Sequence, residues 1–450
     1  MRVPLLIVLF AAGCYQPQVA PGLPCAENGA CPEGLECTAG TCEFPGGGDE
    51  PDAAIDACPA ATCTGDSLVG CGAPTLCATG CSEIGGAHCR QLVPSNGVTT
   101  AQLAGATADM AGGDWDFNTE TGEIKKGNMM LRAPGSGVVD GIGFYLVDGM
   151  AVFTAHSFTL GVTDDWSAVG NNTFVLFSAT TILVDGDIDV GGNLNNAGPG
   201  GSNATSLTSG SGCRGRAGRS FAAGFAEGGG GGGGRVTGGD GGASDQGASA
   251  GLGGVQCSTS PSTIPLRGGP GGGHGGGQFA NSGGGGGGGL ALVAMEAITI
   301  TGDVGSPGGP GQSGAGPSPS GDGGGGGGSG GAVLIEAPLV TINGALTANG
   351  GSGGAPFMTD GQRGNIASTT SVPGGSYMGV SGGRGGTGTL SPNNGGNYTT
   401  TDMIPVPPVV TSSRGGGGGA AGRTEIKALI RDTSGATMSP GPALTMATLE

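Results

Sequence analysis

The sequence predicts an all-β chain: a right-handed parallel β-helix, or solenoid, with long glycine-rich insertions, preceded by small disulfide-rich modules. Three observations predict it. Short apolar-alternating segments with a glycine corner recur in register, uninterrupted glycine tracts lie between them, and ten of the 13 cysteines crowd into residues 25–89.

Residues 1–13 open with one charge, Arg2, followed by the mostly apolar run 3–12 and small residues up to Cys14. The run is too short to span a bilayer, and a charge ahead of a short apolar stretch marks a secretory signal rather than a membrane helix. The segment resembles the bacterial lipobox, whose cysteine is acylated and becomes the first residue of the mature protein. The resemblance implies lipid on Cys14 and a place at the cell envelope. Tyr15 stands where many inner-membrane lipoproteins carry Asp, which implies an outer-membrane, surface-exposed protein. Two or more acyl chains suffice for stable anchoring. A net charge of −18 with three lysines excludes nucleic acid and anionic lipid surfaces as partners, because neither attracts an acidic chain.

Residues 14–24 read as a short Pro-bearing tether. Residues 25–44 place Cys25, Cys31, Cys37 and Cys42 in a module with too few apolar side chains for a core, so two disulfides must stabilise it. Residues 45–57 form an acidic Gly/Pro linker. Residues 58–94 hold Cys58, Cys63, Cys71, Cys77, Cys81 and Cys89, among which fifteen pairings are possible. Cys213 and Cys257 complete an even set once Cys14 is set aside, as an oxidising compartment favours. Bridging them would close a long loop, worth roughly 4 kcal/mol in the chain-entropy model. No metal is implied, since no paired CxxC occurs and His88, His156 and His274 lie apart. No cofactor is implied either.

Residues 95–450 read as the glycine-rich solenoid. Three segments superimpose without a gap. Ile182, Ile298 and Val340 share one position, Val184, Ile300 and Ile342 the next apolar one, Gly186, Gly302 and Gly344 the corner, and Ile188, Val304 and Leu346 follow. Period-two alternation is a strand, and a glycine corner permits a bend that a β-carbon would obstruct. A degenerate fourth copy runs over residues 423–435, with TEIKA opposite VLIEA at 333–337. No unit can bury its apolar row alone, so the units must stack, with insertions leaving at fixed corners. The tracts 228–234, 283–289, 323–328 and 415–419 are pure glycine. Two readings stand: disordered linker, because polyglycine has nothing to bury, or extended rods packed side by side, which only residues without side chains allow. The stretch 141–161, the VDGDIDVGG motif at Val184 and residues 329–354, together with the cysteine modules, resemble myxobacterial surface proteins with a glycine-rich β-helical domain. That resemblance implies a location and carries no catalytic residue over.

Glycine abundance discounts the two GxSxG matches, around Ser329 and Ser352, and every GxGxxG. The stretch 238–245, GGDGGASD, approaches a calcium repeat without completing one. Asp164 and Asp165 precede Trp166, and Asp185, Asp187 and Asp189 alternate as on one face of one strand. Such carboxylates serve β-helical lyases and hydrolases of acidic polysaccharides as calcium ligands or as an acid/base pair, but an alternating Asp strand is also an ordinary solvent face. The expectation is therefore a lipid-anchored structural or adhesive protein contacting polysaccharide or extracellular matrix, with no catalytic activity; the alternative is a lyase or hydrolase using Asp185, Asp187 and Asp189.

Overall fold

The structure, a computed structural model, describes residues 23–26, 30–31, 35–38, 40–43, 61–70, 73–77, 79–84, 86–206, 208, 212–221, 225–243, 251–277, 281–314, 322–377, 379–388, 390–401 and 410–450. It is nearly all β, and the helix among the described residues is one short 3-10 turn, Thr100–Leu103. Three sheets make up the main body. Sheet 1 has eight strands, sheet 2 six and sheet 3 eight. The chain visits them in a fixed order: Thr173–Ser178 in sheet 1, Thr181–Val184 in sheet 2, Asp187–Asp189 in sheet 3, then Gly289–Ala294 back in sheet 1. The circuit continues through Ala297–Ile300, Asp303–Gly305, Ala332–Glu336, Leu339–Ile342 and Ala345–Thr347, and ends through Arg423–Lys427, Ile430–Asp432, Thr437–Ser439 and Ala443–Thr445. These strands pair in parallel with those of the circuit before.

The register is the one the sequence alignment gives. Ile182 pairs with Ile298 and Ile298 with Val340, Val184 with Ile300 and Ile300 with Ile342, Ile188 with Val304 and Val304 with Leu346. All nine are at most 1% exposed and belong to one apolar core. The corner glycines stack as well: a β-carbon on Gly302 would overlap the carbonyl of Gly186, and one on Gly344 that of Gly302. Here glycine is required for close approach between circuits rather than for an unusual backbone angle. The degenerate copy ends the row, because Arg431 stands opposite Val340 and its Nη1 donates to the Thr445 carbonyl at 3.4 Å.

Aromatic residues close the opposite end. Phe117, Phe153, Phe174 and Trp166 meet with ring centroids 4.8–5.7 Å apart. Antiparallel hairpins frame them, built from Trp115–Asn118, Ile124–Lys126, Met129–Arg132, Gly137–Val139, Ile142–Val147 and Met150–Ala155. Arg132 is fully buried there without a carboxylate; its guanidinium donates to the carbonyls of Gly122, Ala133, Gly135, Gly137 and Ile142 at 2.7–3.1 Å. Five backbone acceptors match the five donors of an arginine, so the charge is solvated by peptide dipoles.

Sheet 1 departs from strand alternation. Met150–Ala155 and Thr173–Ser178 are buried at every residue, because both sides of the sheet are covered. The outer side carries a second apolar cluster that includes Val152, Val175, Val293 and Leu334, covered by Leu92, Val98, Leu266 and Ala447. Residues 92–103 thus form a strap over sheet 1. Gln91 and Val93 donate to the carbonyls of Glu450 and Thr448, which ties the strap to the final residues.

All three long insertions, residues 190–288, 306–331 and 348–422, leave after a strand of sheet 3 and return before a strand of sheet 1. Apart from three short antiparallel hairpins, Ser220–Phe221 with Phe225–Ala226, Ser376–Tyr377 with Val380–Ser381 and Asn397–Thr401 with Val410–Arg414, their glycine tracts are neither β-sheet nor loose loop. Along residues 323–331 every amide donates, and the acceptors rotate with a period of three: 323, 326 and 329 to the carbonyls of 276, 273 and 270; 324, 327 and 330 to those of 414, 417 and 420; 325, 328 and 331 to those of 312, 309 and 306. These nine bonds measure 2.7–3.0 Å. In return the segment accepts from Gly229 and Gly232, from Gly284 and Gly287, and from Gly351 and Gly354. One rod therefore has six neighbours, three that it donates to and three that donate to it. A three-fold extended helix has no internal hydrogen bonds and points successive peptides in three directions, which is what such packing needs. Glycine is compulsory: a β-carbon on Gly326 would overlap the carbonyl of Gly230, and one on Gly328 that of Gly285. Tracts 228–234, 283–289, 323–328 and 415–419 are buried almost throughout, so the packed-rod expectation describes them and disordered linker does not.

Candidate functional site

The outward side of sheet 3 carries the carboxylates that the sequence singles out. Asp165 pairs in register with Asp187, and Asp116 lies opposite Ser167, itself opposite Asp189. The amide of Asp165 donates to Asp114 Oδ1 at 3.2 Å, and that of Asp303 to Asp187 Oδ1 at 3.3 Å, so aspartates follow one another across adjacent strands. Partial burial, and then the charges of Asp187, Asp114, Asp189 and Asp164, raise the Asp165 carboxyl above its ordinary range. Burial and then Asp303 raise Asp187. Asp114 is held low, first by the amide of Asp165 and then by Lys126.

One expectation needs correcting. Asp185, Asp187 and Asp189 do not lie along a single strand, because the chain bends at Gly186, where a β-carbon would overlap the carbonyls of Asp164 and Gly161. Asp185 sits on the corner and accepts from Thr301 Oγ1, while Asp187 and Asp189 lie on sheet 3. Asp189 forms a two-bond ion pair with Arg363, whose Nε also donates to the Gly192 carbonyl at 2.9 Å. That pair pins an insertion to the body. Asp187 combines a raised carboxyl with no basic partner among the described residues.

The strap assembles a second polar group, invisible in the sequence because its members are far apart. Ser95 donates through its amide and hydroxyl to Glu336 at 2.6–2.9 Å, and Lys427 Nζ donates to Ser95 Oγ at 2.7 Å. A serine between a lysine and a carboxylate resembles a nucleophile with its base, but the direction of the bonds argues otherwise. The hydroxyl proton is spent on Glu336, and lysine donates to the oxygen, so the serine bridges an ion pair. Burial raises the Glu336 carboxyl, with the Ser95 bonds and Lys427 acting against it. Nearby, buried Glu425 accepts from Thr263 N, Thr263 Oγ1, Ser262 Oγ and Thr445 Oγ1 at 2.6–3.2 Å.

The serines of the GxSxG matches are fully buried among the rods and donate only to backbone: Ser329 to Gly330, Ser352 to Gln362 and Pro373. In the calcium-like stretch, Asp240 Oδ1 accepts from the Gly253 amide at 2.7 Å, and Asp245 lies outside the described residues. The sulfurs of Cys25, Cys31 and Cys42 approach one another, yet they belong to the disulfides Cys25–Cys37 and Cys31–Cys42 and are not thiolate ligands. The second module contains Cys63–Cys81 and Cys77–Cys89, and Cys213 is bonded to Cys257. Cys14, Cys58 and Cys71 lie outside the described residues. His88 and His156 bond to the Gly86 carbonyl and to Asp109, each at 2.7 Å. No helix among the described residues is long and apolar enough to cross a membrane.

Neither a protein-family model nor a curated protein nor a solved structure matches this chain.

Proposed function

We propose that this chain is a lipid-anchored structural or adhesive protein of the bacterial cell surface, without catalytic activity, and that its body is a right-handed parallel β-helix of the kind its sequence resembles in myxobacterial surface proteins. The observation that carries this reading is the hexagonally packed glycine slab. A block of rods whose interior is mostly glycine backbone makes a stiff projection whose rims are free to vary. In this reading lipid on Cys14 holds the chain at the outer membrane, the two cysteine modules act as spacers, and the body and slab meet polysaccharide or matrix. Two tests apply. Cys14→Ser should move the protein from the membrane to the soluble fraction, and unchanged fractionation would end the anchoring idea. Purified protein should be retained on some members of a glycan array without shortening them.

The competing reading is cleavage of acidic glycans, and the raised carboxyl of Asp187 is the observation on its side. It predicts release of unsaturated or reducing ends from uronate polymers, lost in Asp185→Ala or Asp187→Ala. The engagement of Asp189 by Arg363 and of Asp185 by Thr301 favours the non-catalytic reading.

A further inference from the structure

The slab differs in charge from everything around it. Its three segments, residues 190–288, 306–331 and 348–422, hold eight arginines against six aspartates and glutamates, a balance of +2 in a chain of −18. Two of the chain's arginines meet at a cavity of about 440 Å³ where the inner ends of the rods join sheet 1, lined by Arg267, Arg423, Ile264, Pro265 and the backbone of Gly269 and Gly331 among others. Arg423 spends one Nη1 bond, 2.8 Å, on the Ser262 carbonyl. Exposed Arg267 makes no hydrogen bond or ion pair to any described residue. The carboxylate that acts on Arg423, Glu425, is buried and accepts from Ser262, Thr263 and Thr445. Burial and then the charge of Arg267 depress the Arg423 guanidinium, with Glu425 offsetting part of this. Two like charges are thus held together at a concave surface, and among the described residues Arg267 has no carboxylate partner.

We infer that this cavity binds an oxyanion carried on a sugar, a uronate carboxylate or a sulfate ester, between Arg267 and Arg423. Guanidinium groups offer planar paired donors that match such oxyanions. The volume falls within the roughly 300–1,000 Å³ of small-ligand sites. Ile264 and Pro265 give an apolar wall for the C–H face of a sugar ring. This rests on the glycan-contact reading above and names the chemistry that the contact would select.

The test is calorimetric titration of the purified chain with glucuronate, glucose 6-sulfate and glucose, repeated with Arg267→Ala and Arg267→Lys, with thermal melts to confirm that the variants fold. Saturable binding of either anionic sugar but not glucose, weakened at least tenfold in Arg267→Ala and less in Arg267→Lys, is the expected result. Equal binding in parent and Arg267→Ala, equal binding of glucose, or no saturable binding of either anion would overturn the site. If Arg423→Met is also made and melts early, the exposed Arg267 variants still decide. Retention on glycan polymers, measured on the same samples, separates the two readings. Retention without monosaccharide binding removes this site and leaves the adhesive reading, whereas monosaccharide binding without polymer retention does the reverse.

Discussion

The β body and the glycine slab solve the same problem with opposite means. In the body, rows such as Ile182, Ile298 and Val340 bury side chains between sheets, and removal of apolar surface from water drives the packing. In the slab there is almost nothing apolar to bury. The rods are held by backbone bonds to their neighbours, and their interior is filled mostly by peptide groups, with a few buried side chains such as Ser329 and Ser352. The body therefore tolerates loss of a methyl better than gain of a charge, while the packed glycines inside the slab tolerate no gain. Glycine's cost in backbone entropy is offset where six neighbours fix every peptide at once.

That contrast can be broken in the body first. Ile300→Asp places an unpaired charge in a fully buried row and should cost about 4 kcal/mol or more, enough to unfold the body, whereas Ile300→Val should cost about 1 kcal/mol. Parent-like melting of Ile300→Asp would mean that the row is not interior. In the slab the sign of tolerance reverses. Gly326→Ala adds one methyl where the Gly230 carbonyl already stands and should cost about 3 kcal/mol, while Gly441→Ala, a control in the body between Thr437–Ser439 and Ala443–Thr445 with nothing near its β position, should leave the melt unchanged. Hydrogen exchange sharpens the point: the amides of Gly324, Gly327 and Gly330 should be protected to the same degree as those of Gly289–Ala294. Exchange within seconds would return the tracts to the class of linkers.

The smallest effect separates the regions by pH. Glu336, Asp165 and Asp187 are raised in the folded chain, so on acidification from pH 7 the folded state takes up their protons before the unfolded state does. Stability should rise until the ordinary values of 4.5 and 3.8 are reached, and equally it is lost as pH climbs through the raised values. Below 3.8, Asp109, Asp114 and Asp432, which are held low, reverse the trend. These groups all lie in the body. Melting temperatures should rise as pH is lowered from 7 toward 4.5, less steeply in Glu336→Gln, and a steady fall over that interval would contradict the assignment.

Much of the body was legible because its signals are local. Alternation at 182–188, 298–304 and 340–346 fixed the register, and the corner glycines marked the bends. Asp185 was misread for the same reason: alternation continues through Gly186 in the sequence although the strand stops there. The slab was half legible. Pure glycine permits close packing, but which rod lies beside which depends on partners such as 323–331 with 270–276 and 414–420, and identical residues carry no address. The polar groups were not legible at all. Ser95 with Glu336 and Lys427, Asp189 with Arg363, and Arg132 with five carbonyls are products of the fold. Single charged residues at wide separation leave no pattern in a sequence.

The strap over sheet 1 also imposes an order in time. Ser95 is made early, yet its lysine partner lies 332 residues further along, and the carbonyls that receive Gln91 and Val93 come later still. A chain that emerges from its amino end must keep this segment waiting while every circuit and rod behind it is laid down. Closure over so long a span is slow, and until it happens the apolar outer side of sheet 1 stays uncovered. Assembly is thus completed at the place where it began, and the bridged ion pair at Ser95 acts as its final latch.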